Sequence, residues 1–214
     1  MTQETFAEMA RRHLCDDMLA AGNFQMVAGQ ACSVGCFCHD YGLTPGDYEG
    51  LAKLTGYPEA AHRLQEAIFE GLPETERANW HVAFAEKAAT VTDWQTVIDR
   101  IILTSLRIAE PHDTSESKVV AAVIALYERR LNGDNPREAE WVAAYVAAVA
   151  RRDAAGVATY AAGSAARVAV YAVGAAARAD ASAAGVAAAD AAADAAGAAR
   201  ADAWVQIRDA FLNA

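Results

Sequence analysis

The strongest constraint on this chain is a repeat in its last third. Written in elevens, the sequence reads DAAGVATYAAG from Asp153, SAARVAVYAVG from Ser164, AAARADASAAG from Ala175, VAAADAAADAA from Val186 and GAARADAWVQI from Gly197. Glycine recurs at positions 163, 174 and 185, and arginine at 167, 178 and 200. Tyr160, Tyr171, Ser182 and Trp204 share a further column. Eleven residues span three helical turns at about 3.67 per turn, so each column stays on nearly one helix face and drifts slowly right-handed. Each glycine costs roughly 1 kcal/mol of helix propensity relative to alanine. Three on one face therefore predict either the close approach of another helix or a break into shorter helices. An unbroken helix from Pro136 to Ala210 would be about 110 Å long. Such a rod needs a partner, either an earlier part of the chain or a second copy, and a homo-oligomer is expected. Trp204, Val205, Ile207, Phe211 and Leu212 restore bulky side chains and should anchor the C-terminal end.

The repeat also changes the meaning of the composition. Of 55 alanines among 214 residues, 34 lie between Trp141 and Ala210, so about half of the 54% apolar fraction is alanine. Alanine buries little surface per residue, and a modest core must come from residues 1–135. The apolar run after Trp141 is broken by Arg151, Arg152 and Asp153, which excludes a membrane span there. The N-terminal MTQETFAEMARRH has no apolar stretch before its charges, so no secretory signal is expected. The net charge of −10 is uneven: residues 1–115 carry 8 basic and 17 acidic side chains, and the remainder carry 10 and 11. An acidic body without a basic patch excludes duplex nucleic acid as a partner, because phosphate neutralisation dominates that binding.

Helix signals run along the whole chain, and no strand-like alternation persists. Thr2 is placed to cap a first helix carrying Phe6, Met9, His13 or Leu14, and Met18, ending near Gly22. Asn23 to Gly46 reads as an ordered loop with one short helix after Val34. Thr44-Pro45-Gly46-Asp47 predicts a helix start, and Pro58 and Pro73 open two more. Thr92 precedes the most amphipathic segment, with Trp94, Val97, Ile98, Ile101, Ile102, Leu106 and Ile108. Asp113 to Glu116 has capping-box spacing before a helix that stops at Asn132-Gly133. The expected fold is all-α: a helical body over residues 1–135, with a cysteine-containing loop, and an alanine-rich helical extension over 136–214 built on the eleven-residue repeat.

The densest chemistry lies in Gln30-Ala-Cys32-Ser-Val-Gly-Cys36-Phe-Cys38-His39-Asp40, and it has three readings. Cys32, Cys36, Cys38 and His39 are suitable zinc ligands, although the C-x3-C-x-C-H spacing lacks paired knuckles. Cys36 would alternatively be a thiol nucleophile, with Gln30 donating to an oxyanion and His39 as base. Gln30 lies six residues before Cys36, the offset seen in papain-like proteases, and the octapeptide resembles theirs. That family's second cysteine is shifted by one, however, and its fold needs a β-rich half that this chain lacks. His62, His81 or His112 would serve equally as base. The third reading is structural, with the cysteines as small apolar groups in a reducing cytoplasm, and this is the default. No cofactor is then required. Trp80 and Trp94 read as core.

Arg151, Arg152, Arg167 and Arg178, with Tyr160 and Tyr171 to stack on a base, form a candidate site for a small anionic ligand such as a nucleotide. The competing reading is a solvated face paired with Asp180, Asp190, Asp194 and Asp202. No Walker loop, dinucleotide fingerprint, serine elbow or HExxH is present.

Three segments, NFQMVAGQACSVGC, EGLAKLTGYPEAAHRLQEAIFEGLP and ARADAWVQIRDAF, resemble accessory proteins encoded by tailed phages and prophages. The resemblance spans most of the chain and brings no catalytic residue with it. It implies the cytoplasm of an infected bacterial host and a counter-defence role. The functional expectation is a non-enzymatic protein that sequesters a bacterial component, with a nucleotide-type signalling molecule favoured over a host defence protein. A cysteine-dependent hydrolase or transferase using Cys36, and a purely structural helical assembly, are the alternatives.

Overall fold

The computed structural model describes residues 4–112, 118–155 and 202–214. The described residues are all-α, with no strand beyond the isolated bridges Leu19–Ala31 and Val27–Gln30. They divide into two units, Met1–Trp94 and Gln95–Ala214. The boundary expected after residue 135 falls inside the second unit. Most of the repeat, with Tyr160, Arg167, Tyr171 and Arg178, lies outside the described residues.

In the first unit, α1 (Phe6–Cys15) begins at Thr5 rather than Thr2. Thr5 and Glu8 form a reciprocal capping box: the threonine hydroxyl accepts from Glu8 N–H, and the glutamate accepts from Thr5 N–H at 2.8 Å. That arrangement satisfies two terminal amide donors at once. The helix stops at Cys15, well before Gly22, because Asp16 caps it and Asp17 turns left-handed at φ 52°. Residues 18–31 then fold over the body. Ala20 donates to Ala31 O and Ala31 to Met18 O, each at 2.8 Å. Ala28 (φ 53°) and Gly29 (φ 86°) form a tight turn closed by Val27–Gln30 hydrogen bonds, the backbone pattern of a type I′ hairpin.

That fold-over delivers the chain to α2 (Ser33–Asp40), where Cys32 is the N-cap and its sulfur accepts from Gly35 N–H. Gly35 is required there, because a Cβ would lie 2.6 Å from Phe24 O. Three helices follow: α3 (Tyr48–Thr55), α4 (Glu59–Gly71) and α5 (Glu74–Ala88). Asp47, not the Thr44-Pro45 pair, caps α3 by accepting from Gly50 N–H. Pro58 and Pro73 stand at the cap positions of α4 and α5, one residue earlier than their expected first-turn place. Phe37 of α2 is the hub of the core, stacked on Phe6 at 3.8 Å and on the His81 ring at 4.8 Å. Burying a ring of this size stabilises the fold by about 1.5–3 kcal/mol.

The second unit contains α6 (Trp94–Ala109, all but its first residue), α7 (Val119–Leu131), α8 (Glu138–Ala155) and α9 (Asp202–Leu212). Ile101, Ile102 and Leu106 of α6 are buried, as the amphipathic pattern predicts, and Val123 and Tyr127 of α7 are buried as well. Tyr127 meets Trp141 edge-on at 5.2 Å, and the Arg130 guanidinium lies over both rings. Arg130 also forms a forked ion pair with Asp99, which is only 3% exposed. Of the bulky C-terminal residues expected to anchor that end, Ile207 and Phe211 of α9 are fully buried, while Trp204, Val205 and Leu212 are half-buried. On α8, Val142, Tyr145 and Val146 form an exposed apolar stripe. No helix among the described residues is long and apolar enough to cross a membrane.

Candidate functional site

The cysteine segment folds as a helix, so its potential ligands point in different directions. Cys32 caps α2 and faces α4, with its thiol pushed upward by burial and by the nearby Glu66 charge. Cys36 is buried on the side of the 18–31 segment, and its Sγ donates to Met18 O at 3.4 Å and Ala31 O at 3.6 Å. Burial pushes this thiol up to about 12, which holds it in the un-ionised, non-nucleophilic form. The Cys38 thiol is likewise raised by burial and lies near the backbone amides of Gly46 and Asp47. His39 is exposed, while the Gln30 side chain donates to Asp17 O at 2.9 Å. The structure therefore does not bring Gln30, Cys36 and His39 together as a catalytic set. Nor does it gather Cys32, Cys36, Cys38 and His39 around one point. Arg151 and Arg152 lie on α8, and the rest of the arginine and tyrosine columns lie outside the described residues.

Instead, the first unit is threaded by a buried chain of hydrogen bonds. Asp40 Oδ2 lies 2.7 Å from His13 Nε2, His13 Nδ1 lies 3.0 Å from His81 Nε2, and His81 Nδ1 lies 2.8 Å from Ser33 Oγ. Gln65 Nε2 donates to Ser33 Oγ at 2.6 Å. His62 continues beyond Gln65 to Thr55 Oγ1, 3.0 Å from its Nε2. One charged end fixes the direction of the inner links. The Asp40 carboxylate only accepts, so His13 donates from Nε2 and, being neutral, accepts at Nδ1. His81 must then donate from Nε2 and accept at Nδ1, which makes the Ser33 hydroxyl its donor.

Electrostatics keep this polarity in place. Partial burial pushes the Asp40 carboxyl up, but hydrogen bonds from Arg12 and His13 outweigh it and hold the group below the usual carboxylate range. Arg12 donates to the same oxygen at 2.6 Å. Burial lowers all three imidazoles, His62 to about 4. The order Ser33–His81–His13–Asp40 is that of a nucleophile, a base and its orienting groups. Yet Ser33, His81 and His13 are each 0% exposed, and α1, α2, α4 and α5 close over them. The arrangement locks four helices together and offers a substrate no approach.

Beside the relay lies a second buried cluster. One donor atom each from Cys32, Glu66 and Glu70 falls within 4.8 Å of the others. Glu66 is 4% exposed, and burial pushes its carboxyl up to about 7. Its Oε2 accepts from Val34 N–H at 3.0 Å. Both oxygens of Glu70 accept from Gly22 N–H, at 2.9 and 3.0 Å.

An open cavity of about 500 Å³ sits where the 18–31 segment passes the α4–α5 corner. Asp17, Leu19, Ala20, Ala21, Gln30, Phe69, Glu74, Arg77 and Ala78 line it. Arg77 donates to the carbonyls of Phe69 and Glu70, which caps the end of α4 and fixes the guanidinium at the cavity wall. The lining contains two carboxylates, one guanidinium and one amide, and no thiol, hydroxyl or imidazole.

Sequence reasoning reached Gln30 and Cys32 but not Ser33, Gln65, Glu66, Glu70 or Arg77. Its available signal was a histidine on the core-facing side of each of three amphipathic helices, at 13, 62 and 81. Buried imidazoles require partners. No known protein family matches the chain, and no curated protein or solved structure matches it.

Proposed function

We propose that this chain is a non-catalytic binding protein that sequesters a small bacterial molecule in the cavity at the α4–α5 corner. The observation that carries this reading is the cavity itself. Its size lies within the roughly 300–1,000 Å³ usual for small-molecule sites, and its lining can orient a ligand without attacking it. The lining also refines the ligand class. Two carboxylates against one guanidinium suit a ligand whose hydrogen-bond donors outnumber its negative charges, such as the amino-bearing edge of a nucleobase. A polyphosphate would meet Asp17 and Glu74 unfavourably. The nucleotide-type preference is therefore kept for the base, with Arg77 as the partner for a single anionic group. The phage resemblance supplies the setting: an accessory, counter-defence protein acting in an infected host.

The test is affinity capture of the tagged full chain from infected bacterial cells, with the eluate analysed for proteins and small molecules. The proposal expects a stoichiometric small molecule that is depleted in Asp17→Asn and Glu74→Gln variants. Capture of a host protein alone would favour the inhibitor reading instead.

A further inference from the structure

Cys32, Glu66 and Glu70 share no residue with the cavity or the histidine relay, and they bring one thiol and two carboxyl groups together where α2 meets α4. Glu66 and Glu70 lie one turn apart on the same face of α4, a like-charge spacing that is unfavourable on a helix. Between them and α2 sits a thiol. Glu66 is more than nine-tenths buried, and its Oε1 has no hydrogen-bond partner, the one such buried side-chain oxygen or nitrogen among the described residues. The Cys32 thiol and the Glu70 carboxyl are the side chains that face Glu66, and a buried carboxylate oxygen needs a donor or a cation against its lone pairs. Each of the three side chains is meanwhile held in place by a backbone amide: Gly35 N–H to the Cys32 sulfur, Val34 N–H to Glu66, and Gly22 N–H to Glu70. Outer hydrogen bonds of this kind orient metal ligands.

From this geometry we infer that Cys32, Glu66 and Glu70 form a three-ligand site for a divalent transition-metal ion, with zinc the best fit. Three donors are too few for calcium, which takes about six to eight oxygens, and a thiolate is too soft for magnesium. One sulfur and two oxygens match the borderline character of zinc, and water would complete a tetrahedron. On binding, the Cys32 S–H bond breaks, the sulfur keeps the electron pair as a metal–thiolate bond, and the proton leaves to solvent. No oxidant or reductant is involved. The ion would cross-link α2 to α4 and supply the missing partner of Glu66. Of the cysteine segment's four candidate ligands, Cys32 alone takes part.

The experiment uses the full chain with Cys15→Ser, which removes the exposed thiol, stripped with chelator and titrated with Co²⁺ and then Zn²⁺. The inference expects one equivalent bound, with a sulfur-to-cobalt charge-transfer band that zinc abolishes. Cys32→Ser should lose the band, and Glu70→Gln should weaken binding by at least about tenfold with an unchanged circular dichroism spectrum. Should Cys32→Ser fail to fold, Glu70→Gln decides, because Glu70 lies only half-buried at the edge of the cluster. Absence of the charge-transfer band in the parent protein would overturn the site. So would a band that survives in Cys32→Ser, or unaltered affinity in Glu70→Gln; a proton shared by the two carboxyl groups would then be the occupant.

Discussion

Replacing Ser33 with alanine probes the buried relay at its centre. The hydroxyl donates to His81 Nδ1 at 2.8 Å and accepts from Gln65 Nε2 at 2.6 Å. Alanine fits the same space but leaves an imidazole nitrogen and an amide N–H without partners in a region closed to water. At about 1–3 kcal/mol per orphaned group, the loss should be about 2–6 kcal/mol. Ser105 is the internal control. It is equally buried, but its hydroxyl bonds only to Ile101 O within its own helix at 3.0 Å. Ser105→Ala therefore orphans no side-chain group and should cost less than about 1 kcal/mol. Urea unfolding at neutral pH, followed by tryptophan fluorescence and circular dichroism, measures both. With a slope of about 1–3 kcal/mol per molar urea, the first-unit transition in Ser33→Ala should shift down by at least about 0.7 M. If Ser33→Ala is no more destabilising than Ser105→Ala, the directional relay derived from Asp40 is wrong.

Three further outcomes follow from the same geometry. The three relay histidines bind protons more weakly folded than unfolded, so the unfolded chain gains protons first as pH falls and stability drops below about pH 6.5. His62, lowered to about 4 from an ordinary 6.5, should alone remove about 3 kcal/mol by pH 4, at about 1.4 kcal/mol per pH unit. His62→Gln should flatten that part of a stability–pH curve. In the native, metal-free chain, one cysteine of the four, Cys15, should react promptly with an aromatic disulfide reagent. Rapid native labelling of two or more would contradict the buried placement of Cys32, Cys36 and Cys38. Asp99→Asn should destabilise the second unit by about 3 kcal/mol in thermal or urea unfolding, because it leaves the Arg130 guanidinium, itself one-fifth exposed, without its forked partner. A change under 1 kcal/mol would show that pair to be dispensable.

The helical class was legible because periodicity, caps and proline placement agree along the chain. The Ile101–Leu106 stripe and the Asn132-Gly133 stop stand where the pattern puts them. Boundaries shifted where two capping devices competed. Thr5 with Glu8 outranks Thr2 because it satisfies donors reciprocally, and Asp47 outranks Thr44-Pro45 because its carboxylate reaches Gly50 N–H. The relay and the thiol–carboxylate cluster were not legible for a different reason. Ser33 meets His81 across 48 residues and Gln65 across 32, and Cys32 meets Glu66 across 34. Such pairs are created by the order in which helices pack, and a local spacing rule cannot see them. The cysteine motif misled for the converse reason: neighbours in sequence on a short helix fan out to different faces.

The most direct test of the proposed function is native mass spectrometry of the full chain purified from infected bacteria, alongside its Asp17→Asn/Glu74→Gln double variant. The binding account predicts a wild-type mass excess of one small organic molecule per chain, lost in the variant while its circular dichroism spectrum stays unchanged. A wild-type chain that carries no such molecule at any concentration tested, or an adduct equally abundant in the variant, would contradict it.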